Sequence, residues 1–344
     1  MTRTRFGLIG SGWRADFYLR AAAALPDQLE PTGVLTRNPG RIESIAREFR
    51  VAAPGSLDEL LATEPAFVGG LMTRSHVEVP GGRLLVIDEG SGPPIVLLHA
   101  GIADLRSWDA MVPFLTSAGY RTVRFDQRAV GGSTTEQVAF SRVADLLAVL
   151  EATGIGKAAL VGNSLGGMLA FDTAIVAPDR VVAVVGVGAG LGGFHVEPTD
   201  GIRALDAEEA RLEAADPRDP AALADFDVRV WVDGPGQPPT RVPAAIRELV
   251  YEMDLLDPER HQGDAQPIEP PANDRLSELR CPILAIAGEL DLPDVVQTAR
   301  HLEANAPNAR ALIWPDVAHM IGMEQPERLV TAIVEFLAPL ERWS

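Results

Sequence analysis

Val161-Gly162-Asn163-Ser164-Leu165-Gly166-Gly167 is the stretch that decides the fold of this chain of 344 residues. The apolar run 158–161 leads into it, and residues 165–176 continue at helical spacing until Ala177-Pro178 stops the pattern. The stretch therefore predicts a buried strand, a sharp turn and a helix.

Ser164 in this turn is a candidate nucleophile. It is flanked at i−2 and i+2 by Gly162 and Gly166, the pattern of a nucleophile elbow, in which a strained turn leaves no room for a Cβ atom on either side. Such a turn places the hydroxyl at a helix N-terminus, where free N–H groups favour negative charge on an attacked carbonyl oxygen. The same pattern also fits a plain glycine-rich turn, so its partners must be found elsewhere in the chain.

The composition excludes several classes of protein. The net charge of −18 disfavours nucleic acid and anionic lipid as partners. No run of apolar residues is long enough to span a membrane, and the N-terminus does not have the pattern of a signal peptide. The single cysteine, Cys281, excludes an intramolecular disulfide and fits a reducing compartment. We expect a cytoplasmic protein and leave its oligomeric state open.

The first 40 residues carry a second glycine motif. The predicted strand 6–9 runs into Gly10-Ser11-Gly12-Trp13-Arg14-Ala15 ahead of a predicted helix, which is the context of a dinucleotide-binding fingerprint. After a second predicted strand, 33–36, an arginine stands where an acidic residue would contact the ribose of NAD, and this suits the 2′-phosphate of NADP. The candidate cofactor-binding residues are Gly10, Gly12, Ala15 and Arg37.

Residues 3–68 resemble the opening of the Gfo/Idh/MocA family of NAD(P)-dependent dehydrogenases, including Asn38-Pro39-Gly40-Arg41 and the segment 56–61. The resemblance stops near residue 70, before the remaining strands of a complete nucleotide-binding domain. Residues 1–70 have no net charge, so the rest of the chain carries the whole −18. We expect residues 1–70 to form a partial Rossmann-like βαβα segment without function. It is then a fusion remnant or an extension ahead of a reading frame that begins at Met72, and the alternative is a vestigial or regulatory NADP-binding module.

From residue 73 onward, strand and helix patterns alternate. This alternation predicts an α/β fold with a mostly parallel sheet covered on both faces, and ligands at the carboxyl ends of the strands. A helix is expected over 108–118. The strands are expected at 76–79, 84–87, 95–98, 122–125, 158–161, 181–187, 283–287 and 311–314.

Five motifs occur in an order that resembles the α/β-hydrolase superfamily over residues 73–344. They are His99-Ala100-Gly101, the loop 125–133, the elbow, Gly288-Glu289-Leu290-Asp291 and Asp316-Val317-Ala318-His319-Met320. Within the superfamily the chain is most similar to small esterases and to 3-oxoadipate enol-lactonase-like enzymes. The first motif departs from their usual His-Gly pair but keeps a small residue at the turn. The resemblance implies an α/β-hydrolase fold with a helical cap.

The cap is expected at residues 194–278, between a first core part at 73–193 and a second at 279–344. Residues 195–275 hold 19 acidic and 8 basic side chains, and prolines break the segment into short helices, with candidates at 207–215 and 242–256. Four apolar side chains could face a pocket or could equally form the core of the cap: Phe226, Trp231, Tyr251 and Met253.

A serine nucleophile needs a base and an acid, and in the resembled fold they follow in the order Ser, Asp or Glu, His. His319 lies in the loop after the last predicted strand and is the candidate base, whereas His301 lies in a predicted helix. Asp291 follows a strand end and is the candidate acid, with Glu289 and Asp294 as alternatives. An imidazole held by a carboxylate can deprotonate serine near pH 7.

The oxyanion hole is expected to be the backbone N–H groups of Gly101 and Leu165. The sequence therefore predicts a serine hydrolase that cleaves a small carboxylic ester or lactone through an acyl-enzyme, without a metal or an organic cofactor. Hydrolysis of a carbon–carbon bond in a β-diketone type substrate is an alternative, because the elbow also resembles such enzymes. An NADP-dependent oxidoreductase using residues 1–70 and a non-catalytic binding protein are alternatives of other classes.

Overall fold

The structure is a computed structural model, and it describes most of the chain beyond residue 72. The described residues are 3–9, 18–20, 22–23, 26–36, 39–56, 59–60, 62–63, 67–69, 72–215, 217, 219–255 and 264–340. The chain divides into two compact units, Met1–Thr73 and Arg74–Ser344. Within the described ranges, no helix combines the length and the apolar character that crossing a membrane requires.

The first unit contains a small parallel sheet. Strands β1 (Thr4–Ile9), β2 (Leu29–Leu35) and β3 (Phe67–Gly69) lie in the order β2-β1-β3, and helix α1 spans Pro39–Phe49. The strands predicted at 6–9 and 33–36 are thus present. The proposed cofactor residues Gly10, Gly12, Ala15 and Arg37 lie outside the described residues, so the nucleotide site stays a prediction.

The second unit is built on one large sheet. Its described strands lie in the order β14-β13-β11-β10-β6-β7-β5-β4, with β8 beside β5. The strands are β4 (Met72–Val79), β5 (Gly82–Gly90), β6 (Pro94–Leu98), β7 (Arg121–Phe125), β8 (Thr134–Thr135), β10 (Ala158–Asn163), β11 (Val181–Val187), β13 (Ile283–Gly288) and β14 (Ala309–Trp314); β9 (Ala139–Phe140) and β12 (Asp264–Ala265) form a separate pair.

The central strands are parallel, as the sequence predicts. The pairs β6–β7, β6–β10, β10–β11, β11–β13 and β13–β14 are parallel, whereas β5 runs antiparallel to β7. Every residue of β6, β10 and β13 is buried, because helices cover both faces of a parallel sheet. The carboxyl ends of these three strands therefore meet at one edge of the sheet, where the candidate catalytic residues lie.

Helices follow the strands in the expected alternation. They are α2 (Val112–Ser117), α3 (Arg142–Ala152), α4 (Leu165–Val176), α5 (Asp200–Glu213), α6 (Pro220–Asp227), α7 (Ala244–Leu255), α8 (Pro293–Asn305), α9 (Ile321–Glu324) and α10 (Pro326–Leu337). Short 3₁₀ segments lie at Leu105–Trp108, Pro178–Arg180 and Ala272–Glu278, and a π-helix lies at Val228–Asp233. The segment between β11 and β13 contains α5, α6, the π-helix and α7.

The helix predicted over 108–118 is wrong in its bounds. The chain forms the 3₁₀ turn Leu105–Trp108 first, because the Asp104 side chain accepts a hydrogen bond from the Arg106 N–H and caps that turn. The α-helix begins only at Val112, where Pro113 occupies the first turn. Proline is tolerated there because its missing N–H would have no partner inside the helix.

A buried ion pair fixes the loop after β7 against α3. The Arg128 guanidinium donates from Nε to Asp145 Oδ2 at 2.6 Å and from Nη2 to Asp145 Oδ1 at 2.9 Å. Its Cζ atom also lies 4.5 Å from the centre of the Phe140 ring. Both charged side chains are at most 7% exposed, so each depends on the other for compensation of its lost hydration.

We expect Asp145→Asn to lower the free energy of unfolding by about 3 kcal/mol, because it leaves the buried Arg128 cation without its carboxylate. Urea unfolding followed by circular dichroism measures the change. Asp200→Asn is the control, since its ion pair with Arg203 lies on the surface and should contribute little. Equal losses of stability in the two variants would contradict the stabilising role of the buried Arg128–Asp145 pair.

Candidate active site

Ser164 sits at a strained turn between β10 and α4. Its backbone has φ 53° and ψ −116°, a conformation that side-chain-bearing residues rarely adopt and that costs about 1–3 kcal/mol. Three backbone hydrogen bonds hold it: Ser164 N–H donates to the Val187 carbonyl at 2.9 Å, and the Ser164 carbonyl accepts from Met168 N–H at 3.0 Å and from Gly190 N–H at 3.4 Å. The turn has the geometry expected of an elbow.

The glycines around Ser164 are required by close backbone packing. A Cβ atom at Gly162 would collide with the carbonyl oxygen of Gly166, and one at Gly166 would collide with the carbonyl oxygen of Leu98. A Cβ atom at Gly167 would collide with the side chain of Ala189. The first turn of α4 therefore lies directly on the ends of β6 and β10.

His319 and Asp291 form a buried pair at the same edge of the sheet. The distance between His319 Nδ1 and Asp291 Oδ2 is 2.8 Å, and the two residues are 2% and 6% exposed. The other carboxylate oxygen, Oδ1, accepts from the Leu292 N–H at 2.7 Å. Because a carboxylate oxygen accepts hydrogen bonds, this pairing gives Nδ1 the donor role and leaves Nε2 outside the pair.

This pairing separates Asp291 from the alternative acids of the sequence analysis. Glu289 and Asp294 are exposed, whereas Asp291 holds the imidazole of His319. His301, the other late histidine, interacts elsewhere: its Nε2 atom lies 2.9 Å from Asn273 Oδ1 and its ring stacks on Phe194 at 4.1 Å. His301 is half-buried and lies in α8, the helix predicted for it.

Asn163 links the elbow to the histidine loop. Its side-chain amide Nδ2 lies 2.9 Å from the Val187 carbonyl oxygen and 3.3 Å from the His319 carbonyl oxygen. The loops that carry Ser164 and His319 are therefore neighbours. Among the described residues, no hydrogen bond joins the Ser164 hydroxyl to the His319 imidazole, and such bonds commonly tighten only when substrate is bound.

Gly101 and Leu165 lie side by side. A Cβ atom placed on Gly101 would be 3.9 Å from Leu165 Cδ2, so the loop after β6 borders the first residue of α4. Both residues are half-buried. The two expected donors of an oxyanion hole therefore belong to neighbouring backbone segments.

His99 braces the loop that carries Gly101. Its Nε2 atom accepts from the Gln127 N–H at 2.9 Å, which leaves the proton on Nδ1, 2.8 Å from the Ala100 carbonyl oxygen. Both ring nitrogens are thus used within the protein. This arrangement indicates a structural role for His99.

Asp126 organises the loops next to it. Its Oδ1 atom accepts from the Leu105 N–H and its Oδ2 atom from the Gly132 N–H, both at 2.8 Å, and its carbonyl oxygen accepts from the Ser133 hydroxyl at 2.6 Å. Burial raises the pKa of the Asp126 carboxyl above its usual range. The side chain ties together three segments at the carboxyl edge of the sheet.

Trp231 covers His319. The centres of the two rings are 4.6 Å apart, with 51° between their planes. Trp231 belongs to the π-helix Val228–Asp233, and π-helical turns are frequent at functional sites. Of the four apolar residues singled out in the sequence, Phe226 and Met253 are buried in hydrophobic clusters, which is the core alternative stated above.

Sequence reasoning missed a cluster around Glu324. Its Oε1 atom accepts from the Ala318 N–H at 3.1 Å and from Arg241 Nη2 at 3.0 Å, and Arg241 Nη2 also donates to the Val232 carbonyl at 2.7 Å. The cluster therefore joins the segment next to Trp231 to the residue before His319. Arg241 and Glu324 are 83 positions apart, and no local pattern indicates such a pair.

Comparisons with known proteins agree with this architecture. The family model described as alpha/beta hydrolase fold matches residues 93–326. A 2-hydroxy-6-oxononadienedioate/2-hydroxy-6-oxononatrienedioate hydrolase from Burkholderia vietnamiensis is 31% identical over 266 residues, which cover 75% of this chain and 88% of the relative.

Solved structures that resemble the chain include a lactone-degrading enzyme and an esterase. An N-acyl homoserine lactone degrading enzyme is 28% identical, with a TM-score of 0.54, and the match covers 76% of this chain and all of that one. A thermophilic esterase from Thermogutta terrifontis is 24% identical, with a TM-score of 0.63, and the match covers 78% of this chain and 98% of that one. The likeness to the esterase shows the fold alone.

We expect Gly166→Ala to lower the free energy of unfolding by about 1–3 kcal/mol or more, because the added methyl group overlaps backbone atoms that cannot move aside. Thermal or urea unfolding measures this loss. Gly190→Ala is the matched control, since a Cβ atom there meets nothing within 4 Å. An equal effect of the two substitutions would show that α4 does not pack tightly on β6.

Proposed function

This chain belongs to the alpha/beta hydrolase family, and on that premise we propose that it is a serine hydrolase that cleaves a carboxylic ester or lactone through an acyl-enzyme. The observation that carries the proposal is the buried hydrogen bond of 2.8 Å between His319 and Asp291. His319 lies in the loop that the Asn163 side chain links to the strained turn at Ser164. The reaction needs no metal or organic cofactor.

In the proposed reaction Ser164 is the nucleophile. Its hydroxyl proton moves to Nε2 of His319 while Oγ attacks the carbonyl carbon of the substrate. The imidazolium then gives the proton to the leaving alcohol oxygen, and the C–O bond breaks to leave the acyl-enzyme. Water attacks that ester with His319 as base, the acid product leaves, and the serine hydroxyl is restored.

Asp291 and two backbone amides complete the proposed machinery. Asp291 holds the Nδ1 proton and stabilises the imidazolium that forms in each half-reaction. The N–H groups of Gly101 and Leu165 donate to the oxyanion, which is stabilised further by the N-terminal end of α4. The neighbouring positions of the two residues support this role.

We also propose that residues 194–278 act as a cap over the site, with core parts at 73–193 and 279–344. The contact of Trp231 with His319 supports this role, because it lets the segment shield the imidazole from bulk water. The Arg241–Glu324 pair supports it as well, since it fixes the segment near the histidine loop.

Hydrolysis of a carbon–carbon bond is the second candidate. It is favoured by the identity of 31% with a hydrolase of 2-hydroxy-6-oxononadienedioate, and the elbow alone does not separate the two reactions. Identity of 28% with a lactone-degrading enzyme supports the first candidate. The same Ser164 would serve both reactions. Turnover of p-nitrophenyl esters, lactones and β-diketones, measured side by side, therefore distinguishes the two candidate functions.

For residues 1–70 the resemblance to Gfo/Idh/MocA dehydrogenases remains a hypothesis. The parallel sheet β2-β1-β3 is compatible with a partial nucleotide-binding fold. Titration of NADP(H) followed by tryptophan fluorescence tests the proposed contacts of Gly10, Gly12, Ala15 and Arg37. A saturable change would support binding, and a flat titration would remove this hypothesis together with any NADP-dependent oxidoreductase activity.

We expect a fluorophosphonate probe to label the wild type but not Ser164→Ala, which should also lose turnover of p-nitrophenyl acetate by about 10³-fold or more. Asp291→Asn should lower kcat by roughly 10²–10⁴-fold, because the imidazole loses the acceptor that fixes its tautomer. Glu289→Gln is the matched control, two residues away and exposed. An unlabelled wild type, or equal losses in Asp291→Asn and Glu289→Gln, would refute the assignment.

A further inference from the structure

A cavity of about 280 Å³ opens beside α4. One wall is the helix itself, and the others are the start of α3, the Gly192–Gly193 turn and residues 265–272. Leu165, the residue after Ser164, is one of its lining residues, so the cavity lies beside the helix that begins at the candidate nucleophile. Its volume suits a fragment of a small molecule.

The spacing of the α4 residues in the cavity gives it a direction. Leu165, Met168, Leu169 and Asp172 line it, at positions i, i+3, i+4 and i+7 of one helix face. A helix rises 1.5 Å per residue, so Asp172 lies about 10 Å along the helix axis from Leu165. A chain attached to a carbonyl at Ser164 can therefore extend along this face toward Asp172.

Asp172 at the far end has an unused acceptor. Its Oδ1 atom is buried and has no hydrogen-bond partner within the described part of the chain. Desolvation raises the pKa of this carboxyl to about 6, so it is ionised at neutral pH. Because a buried acceptor without a donor lowers stability, folding alone does not explain a carboxylate at this position.

The charges around the cavity define which group would fit. The other charged side chains that line it are Arg142 and the exposed Glu269. No ion pair joins Arg142 to Asp172, although both are described residues and each affects the pKa of the other. Arg142 and Arg275 both act on the Asp172 carboxyl and lower its pKa, yet within the described part of the chain neither donates a hydrogen bond to its Oδ1 atom.

We propose that this cavity binds the non-reacting end of the substrate and that Asp172 accepts a hydrogen bond from a hydroxyl, amide or amine at that end. The proposal rests on the ester or lactone hydrolysis proposed above. The substrate class is then an ester or lactone whose acyl chain extends from the carbonyl along α4 and ends in a hydrogen-bond donor. The apolar wall, including Val143 and Ile268, packs against the methylene groups of that chain.

Paired substrates test the proposal. These are p-nitrophenyl esters of increasing chain length, each ending in a methyl, a hydroxyl or an amino group, and the readout is the ratio of kcat/KM between donor-ended and methyl-ended esters of equal length. We expect the wild type to prefer a donor end at one chain length, and Asp172→Leu to lower that ratio about tenfold. Asp179→Asn, an exposed carboxylate beyond the end of α4, should keep the wild-type ratio.

Thermal unfolding separates binding from a structural role. Asp172→Leu removes a buried acceptor without a donor, so its melting temperature should equal or exceed that of the wild type at pH 8. A lower melting temperature, or a wild type that hydrolyses p-nitrophenyl acetate without any preference for donor ends, would overturn the cavity assignment alone. A wild type that neither hydrolyses p-nitrophenyl acetate nor reacts with the fluorophosphonate would instead overturn the proposed function.

Discussion

The contact of the first turn of α4 with the ends of β6 and β10 is the constraint on which the candidate site depends. It exists because Gly162 and Gly166 allow backbone to approach backbone without intervening side chains. This approach sets the position of Ser164 and brings Leu165 beside Gly101. A single local packing requirement thus determines where a nucleophile and an oxyanion hole can be.

Around that contact, polar side chains act mainly as braces. His99 uses both ring nitrogens on neighbouring backbone, and Asp126 binds two N–H groups from separate loops. These side chains satisfy backbone groups that would otherwise be buried without partners, which is a costly state. The imidazole of His319 differs, because only its Nδ1 is used, by Asp291, and its Nε2 makes no hydrogen bond to any of the described residues.

The sequence predicted the central strands and the pairing of His319 with Asp291, because burial patterns and the order of motifs along the chain carry that information. It did not predict where the helix at 112 begins, since Asp104 caps a separate 3₁₀ turn first. Nor did it reveal the ion pair between Arg241 and Glu324, or the cavity that Asp172 lines. Those features arise from residues far apart in sequence, and periodicity and spacing describe only near neighbours.

The conformation of Ser164 has a consequence for how this chain can change over generations. Glycine would relieve the strain of a positive φ at this position and keep the same backbone. The strained backbone therefore makes the folded protein with serine at position 164 less stable than one with glycine, by about 1–3 kcal/mol. Under the proposed function, this strain is the stability that the chain gives up to hold its nucleophile at the turn.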